Sequence, residues 1–141
     1  MDEVSQTSPV KEPVIEIIEE PEIVFEPEYT DVVLTARVQA EGAELKAGQF
    51  TFCVYGGDGR EVLRAVNDRT GVVTFPTLRL AAPGTYSFNI CQPTPSGFGW
   101  IIDRGCFPVE IAVDDAGGVK TEHPDGEALF FNRRGPSRRR V

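Results

Sequence analysis

Between Gln49 and Phe88 the chain runs QFTFCVYGGDGREVLRAVNDRTGVVTFPTLRLAAPGTYSF, and this stretch narrows the possible folds more than any other. Phe50, Phe52 and Val54 alternate with Thr51 and Cys53, and Gly56-Gly57-Asp58-Gly59 follows. Glu61 to Val66 is a second run, closed by Asn67-Asp68; Gly71 opens a third, Val72 to Phe75. Pro83-Gly84 then introduces Tyr86, Phe88 and Ile90, again two residues apart. Period two with aromatic and β-branched residues specifies half-buried strands. Asp-Gly between such runs signals a hairpin, because Gly takes positive φ without steric cost. The expected fold class is all-β: an Ig-like antiparallel β-sandwich with extended N-terminal and C-terminal tails.

With 141 residues, 40% of them hydrophobic, the chain accommodates one cored domain plus tails. The net charge of −8 argues against a nucleic-acid partner, since phosphate binding requires clustered Lys and Arg. No apolar run approaches the roughly 18 residues of a membrane span. The start, MDEVSQTSPVKEP, lacks the basic-then-apolar pattern of a secretory signal, so export is expected only from a trimmed precursor or by another route.

The candidate chemistry is sparse. Three cysteines match no common zinc spacing, and the one His, His123, lies in the turn sequence Glu122-His123-Pro124-Asp125-Gly126. There is no GxSxG nucleophile turn and no Walker or dinucleotide glycine pattern. The expectation is no enzyme, no metal and no cofactor.

Along the chain, residues 1–27 form an acidic, Pro-punctuated tail or linker, 28–132 the sandwich domain, and 133–141 a basic C-terminal tail. Pro13, Pro21 and Pro27 forbid a long helix or a central strand in the first segment. Its apolar clusters, Ile15 to Val24 among them, leave two readings: an extended spacer, or a strand donated to a neighbour's sheet edge. Tyr29 to Ala40 reads as the first domain strand. Gln92 to Gly105 reads as a Pro- and Gly-rich loop whose Phe98 and Trp100 either cap the sandwich or form a contact patch. Phe107, Val109, Ile111 and Val113 alternate as another strand; Val119 to Glu122 and Ala128 to Asn132 close the domain.

Several of these blocks, taken in order, resemble a known family. They are Leu45-Lys46-Ala47-Gly48-Gln49-Phe50-Thr51-Phe52; Asn67-Asp68; Gly71 to Pro76; Pro83 to Ile90; and Phe130-Phe131-Asn132. From about Val33 to Asn132 the chain is similar to the isopeptide-linkage domain of Gram-positive, streptococcal-type pilins. The resemblance implies an Ig-like building block of surface fibres and adhesins. It also implies a crosslink between a first-strand Lys and an Asn ending the last strand, promoted by a buried Glu. That chemistry needs a neutral amine, an amide carbonyl and a proton-relaying carboxyl group.

On this chain the Lys position falls on Val38, beside Arg37, which stays protonated and cannot serve as the nucleophile. The Glu position carries Gln92, and only Asn132 matches. The site thus reads as degenerate: Val38, Gln92 and Asn132, with the sandwich kept and the crosslink lost. Lys46 and Lys120 are the alternative amines, both in or beside turns.

A second covalent staple follows from register. Pairing Ile90 with Phe107 sets Phe88 opposite Val109 and Tyr86 opposite Ile111, and brings Cys91 level with Cys106 on the other face. The two readings there are a disulfide in an exported protein and free thiols in a reducing compartment. Cys53 has no assigned role.

The leading functional reading is a non-enzymatic structural module of a cell-surface fibre or extracellular assembly, meeting protein partners or copies of itself through its termini. The alternatives are a virion decoration or fibre protein, and a soluble protein- or glycan-binding module using the 92–105 loop.

Overall fold

The computed structural model describes residues 29–135. The acidic segment 1–27, with its strand-donor and spacer readings, lies outside the described residues, as does the basic tail beyond Gly135.

The alternating runs are strands, labelled in chain order: β1 (Thr30–Val32), β2 (Thr35–Glu41), β3 (Thr51–Gly56), β4 (Glu61–Val66), β5 (Val72–Thr74), β6 (Leu78–Leu80), β7 (Gly84–Cys91), β8 (Trp100–Ile101), β9 (Cys106–Val113), β10 (Val119–Glu122) and β11 (Leu129–Arg134). They form a five-stranded sheet in the order β10-β9-β7-β3-β4, a four-stranded sheet β5-β2-β11-β8, and a small β1-β6 ribbon. This is an all-β, Ig-like sandwich.

Alternation decides which face is which. Phe52, Val54, Phe88, Ile90, Val109 and Ile111 from the larger sheet meet Ala36, Val38, Val73 and Phe130 from the smaller one in a single buried cluster. Phe130 joins the two layers, its ring centroid 5.1 Å from that of Phe52 and 5.1 Å from that of Phe107. The β7–β9 register pairs Ile90 with Phe107, Phe88 with Val109 and Tyr86 with Ile111.

Five features depart from the sequence expectation. The first strand is broken at Val33-Leu34: β1 pairs with β6, while β2 runs between β5 and β11, so the chain changes sheets there. The Gln92–Gly105 loop contains a two-residue strand, β8, which pairs with the end of β11. β6, a Leu-Arg-Leu run between prolines, is an additional strand. The last strand continues two residues past Asn132, to Arg134. The β2–β11 pair is parallel, unlike the other ladders among the described residues.

Asn67, expected only as a turn residue, is a buried staple. Its Oδ1 accepts from the Phe50 amide at 2.8 Å, and its Nδ2 donates to the carbonyls of Lys46 at 2.9 Å and Asp68 at 2.8 Å. It therefore fastens the segment before β3 to the turn after β4. That turn is completed by Gly71 (φ 93°), whose carbonyl accepts from the Val38 amide at 2.8 Å. A Cβ at Gly71 would collide with the Val38 carbonyl oxygen, so close approach and left-handed backbone both call for glycine.

Candidate functional site

The phase that buries Phe88 and Ile90 continues through Gln92 and Thr94, carrying two polar side chains into the interior at the end of β7. Asn132 arrives from β11 in the same way, following buried Phe130 at period two. Gln92 is 3% exposed and Asn132 1%, so their amide groups need partners within the protein.

They find them in each other. Asn132 Nδ2 donates to Gln92 Oε1 at 2.7 Å, and Gln92 Nε2 donates back to Asn132 Oδ1 at 3.0 Å, closing a reciprocal amide pair. Further partners surround the pair. Gln92 Nε2 donates to the Asp103 carbonyl at 3.1 Å, and the Asp103 amide donates to Asn132 Oδ1 at 2.9 Å. The Thr94 hydroxyl lies 3.0 Å from Gln92 Oε1 and accepts from the Thr51 amide at 2.9 Å. Arg104 donates to the Gln92 carbonyl at 2.9 Å. The Asp103 carboxylate accepts from the Phe131 amide at 3.0 Å and the Gly105 amide at 2.9 Å, fixing the loop against β11.

Val38 does not enter this network. It is 2% exposed within the apolar cluster, and its cross-strand partner is Phe130; the partner of Asn132 is Ala40, one inward-facing pair further along. Lys46 and Lys120, the lysines among the described residues, are both exposed, and Lys120 pairs with Glu122 at 3.1 Å. A neutral amine requires burial, and neither side chain has it.

Chemically the site presents one carbonyl held by two donors. Two N–H donors polarise the Asn132 carbonyl, as an electrophile requires. Its neighbour, Gln92, is a carboxamide, which neither gives nor takes a proton near neutral pH. The described residues place no amine against it.

Thr94, Asp103 and Arg104 were not singled out by sequence. Thr94 had a legible signal, since Phe88, Ile90, Gln92 and Thr94 share one phase. Asp103 and Arg104 act through backbone and loop geometry that carries no period.

The second group lies on the outer face of the five-stranded sheet. Cys91 is level with Cys106, their Cα atoms are 4.5 Å apart, and their sulfurs are joined. On its other side Cys91 is level with Cys53 of β3, which is fully buried and carries a free thiol. Cys53 Sγ donates to Glu61 Oε1 at 3.5 Å. Burial pushes the Cys53 thiol pKa up, while the Arg64 guanidinium holds the Glu61 carboxyl below its usual range.

Phe98 and Trp100 are separated by the fold. Trp100 packs edge-on against Phe50, ring centroids 5.0 Å apart, and so closes one end of the core. Phe98 is 90% exposed with φ 54°, its carbonyl accepting from Arg134 Nε at 3.0 Å. No helix among the described residues is long and apolar enough to cross a membrane.

No protein-family model matches the chain, and no curated protein matches it. Among solved structures it is similar to the major pilin protein T-13 from Streptococcus pyogenes serotype GAS131465, with a TM-score of 0.50 at 13% identity, over 74% of this chain and 52% of that one. A point mutant of the major pilin from Streptococcus pyogenes aligns over 74% of this chain and 50% of that one, with a TM-score of 0.42 at 11% identity. The chain thus spans about half the length of these pilins. The fold is pilin-like.

Proposed function

We propose that the chain is a non-enzymatic, pilin-like building block of a cell-surface fibre or adhesin, and that it carries no intramolecular isopeptide bond. The observation that carries this reading is the closed Gln92–Asn132 amide pair, set in a pilin-like sandwich at the strand ends where the family resemblance puts the crosslink. The oxygen and nitrogen of both carboxamides are engaged in structural hydrogen bonds, so the site serves cohesion between the sheets. Copies join through the segments flanking the sandwich. The test is immunogold electron microscopy of the producing cells with antibodies raised against the purified chain. Label along surface fibres is expected; label confined to the cell interior contradicts the reading.

In this reading Cys91–Cys106 is the covalent staple of the exported domain. It closes the Gln92–Gly105 loop at the end of the β7–β9 hairpin, with a sequence separation of 15. In the chain-entropy model such closure stabilises by about 3 kcal/mol. Reducing the oxidised protein is therefore expected to lower its Tm by roughly 15 °C. An unchanged Tm, with reduction verified by thiol titration, removes the staple from the account.

A further inference from the structure

The three cysteines form one row across adjacent strands: Cys53 on β3, Cys91 on β7, Cys106 on β9. Their neighbours Val54, Ile90 and Phe107 point into the core, so all three side chains share the outer face. The Cα separation of 4.5 Å at Cys91–Cys106 marks the narrow, non-hydrogen-bonded type of antiparallel pair. The backbone groups of Cys91 then face β3, making Cys53–Cys91 the wide type, with Cα atoms about 5.5 Å apart. Both separations lie within the range a disulfide spans. Cys91 is the middle member, flanked by a buried thiol on one side and its exposed bonded partner on the other.

We propose that Cys53 exchanges with the Cys91–Cys106 disulfide, so that the chain holds two alternative bridges, and that formation of Cys53–Cys91 turns Cys106 into an accessible thiol open to modification. The inference rests on the Cys91–Cys106 bridge and is independent of the fibre reading. Cys53 passes its proton to solvent by way of Glu61 Oε1, its exposed hydrogen-bond acceptor, and its thiolate attacks Cys91 Sγ. The Cys53–Cys91 bond forms as Cys91–Cys106 breaks, and Cys106 leaves as a thiolate that takes a proton from water. One disulfide and one thiol are present before and after, so no external oxidant or reductant enters. The row suits the displacement, because attacking and leaving sulfurs lie on opposite sides of the central one. Cys106 is exposed, so water stabilises the departing thiolate. Burial above all, and then Glu61, the hydrogen-bond partner of Cys53, disfavour the Cys53 thiolate, so exchange is slow at neutral pH and quickens with alkali.

The test labels the oxidised full-length chain, without denaturant, with N-ethylmaleimide between pH 7 and 9, followed by non-reducing peptide mapping. The expected result is label on Cys106 together with a Cys53–Cys91 crosslinked peptide, accumulating about tenfold faster per pH unit. Cys53→Ser and Cys53→Ala should each abolish Cys106 labelling while leaving Cys91–Cys106 intact; the second variant guards against a folding defect in the first. Label on Cys53 alone, or no label with Cys91–Cys106 intact, overturns the exchange. Label on all three cysteines overturns the bridge beneath it.

Discussion

Replacing Asn132 by Asp should destabilise the protein by about 4 kcal/mol at pH 7 and by much less near pH 3, because an unpaired buried charge is costly and a neutral carboxyl is not. The substitution keeps shape but exchanges an N–H donor for an oxygen facing Gln92 Oε1, which Asn132 Nδ2 approaches to 2.7 Å. The side chain is 1% exposed, so solvent offers no relief. Burial raises the folded-state pKa of the new carboxyl above the unfolded value of about 3.9. The native state then holds the proton to higher pH than the unfolded chain. Relative stability is fully retained below about pH 3.9, falls as pH rises to the folded-state pKa, and is flat beyond it. Protonated, the carboxyl can donate to Gln92 Oε1 in place of the amide. Urea unfolding of variant and wild type at both pH values checks this; a deficit that is small or independent of pH would show that the amide pair does not organise this end of the sandwich.

Phe130→Ala is expected to cost about 4 kcal/mol, lowering Tm by roughly 20 °C. Phe130 is fully buried and touches aromatic rings from β3 and β9 of the facing sheet, so removing its ring opens a cavity between layers that backbone hydrogen bonds hold fixed. Phe130→Leu, which restores most of the volume, should cost about 1.5 kcal/mol. Thermal unfolding of the pair separates a packing keystone from a replaceable apolar position, and equal losses in the two variants would contradict the packing argument.

The faces of the long strands were legible because a two-residue period ties each side chain to one side of the sheet. The same logic pairs Phe88 with Val109 and Ile90 with Phe107, since two runs with a common core face align at their apolar residues. Short strands carry no such signal. Trp100–Ile101 and Leu78–Leu80 are two and three residues long, below the length at which alternation is distinguishable from chance. The break at Val33-Leu34 was hidden because inward residues on either side keep the same phase while the chain passes from one sheet to the other.

At the candidate site, Gln92 and Asn132 were each visible as polar residues ending apolar alternations. That they bond to one another depends on which strand ends the topology brings together across 40 residues. Asn67 illustrates the same limit, its partners being backbone groups of Phe50 and Lys46, 17 and 21 residues away. Cys53 had no sequence role because its relation to Cys91 exists only in the β3–β7 register.

The central claim is that this pilin-like sandwich is held at its strand ends by an uncrosslinked amide pair. The most direct measurement is the intact mass of the reduced protein. The account predicts the mass of the full sequence with no loss. A deficit of about 17 Da, the ammonia released when an amine is acylated by an amide, together with a Lys–Asn crosslinked peptide at Asn132, would contradict it.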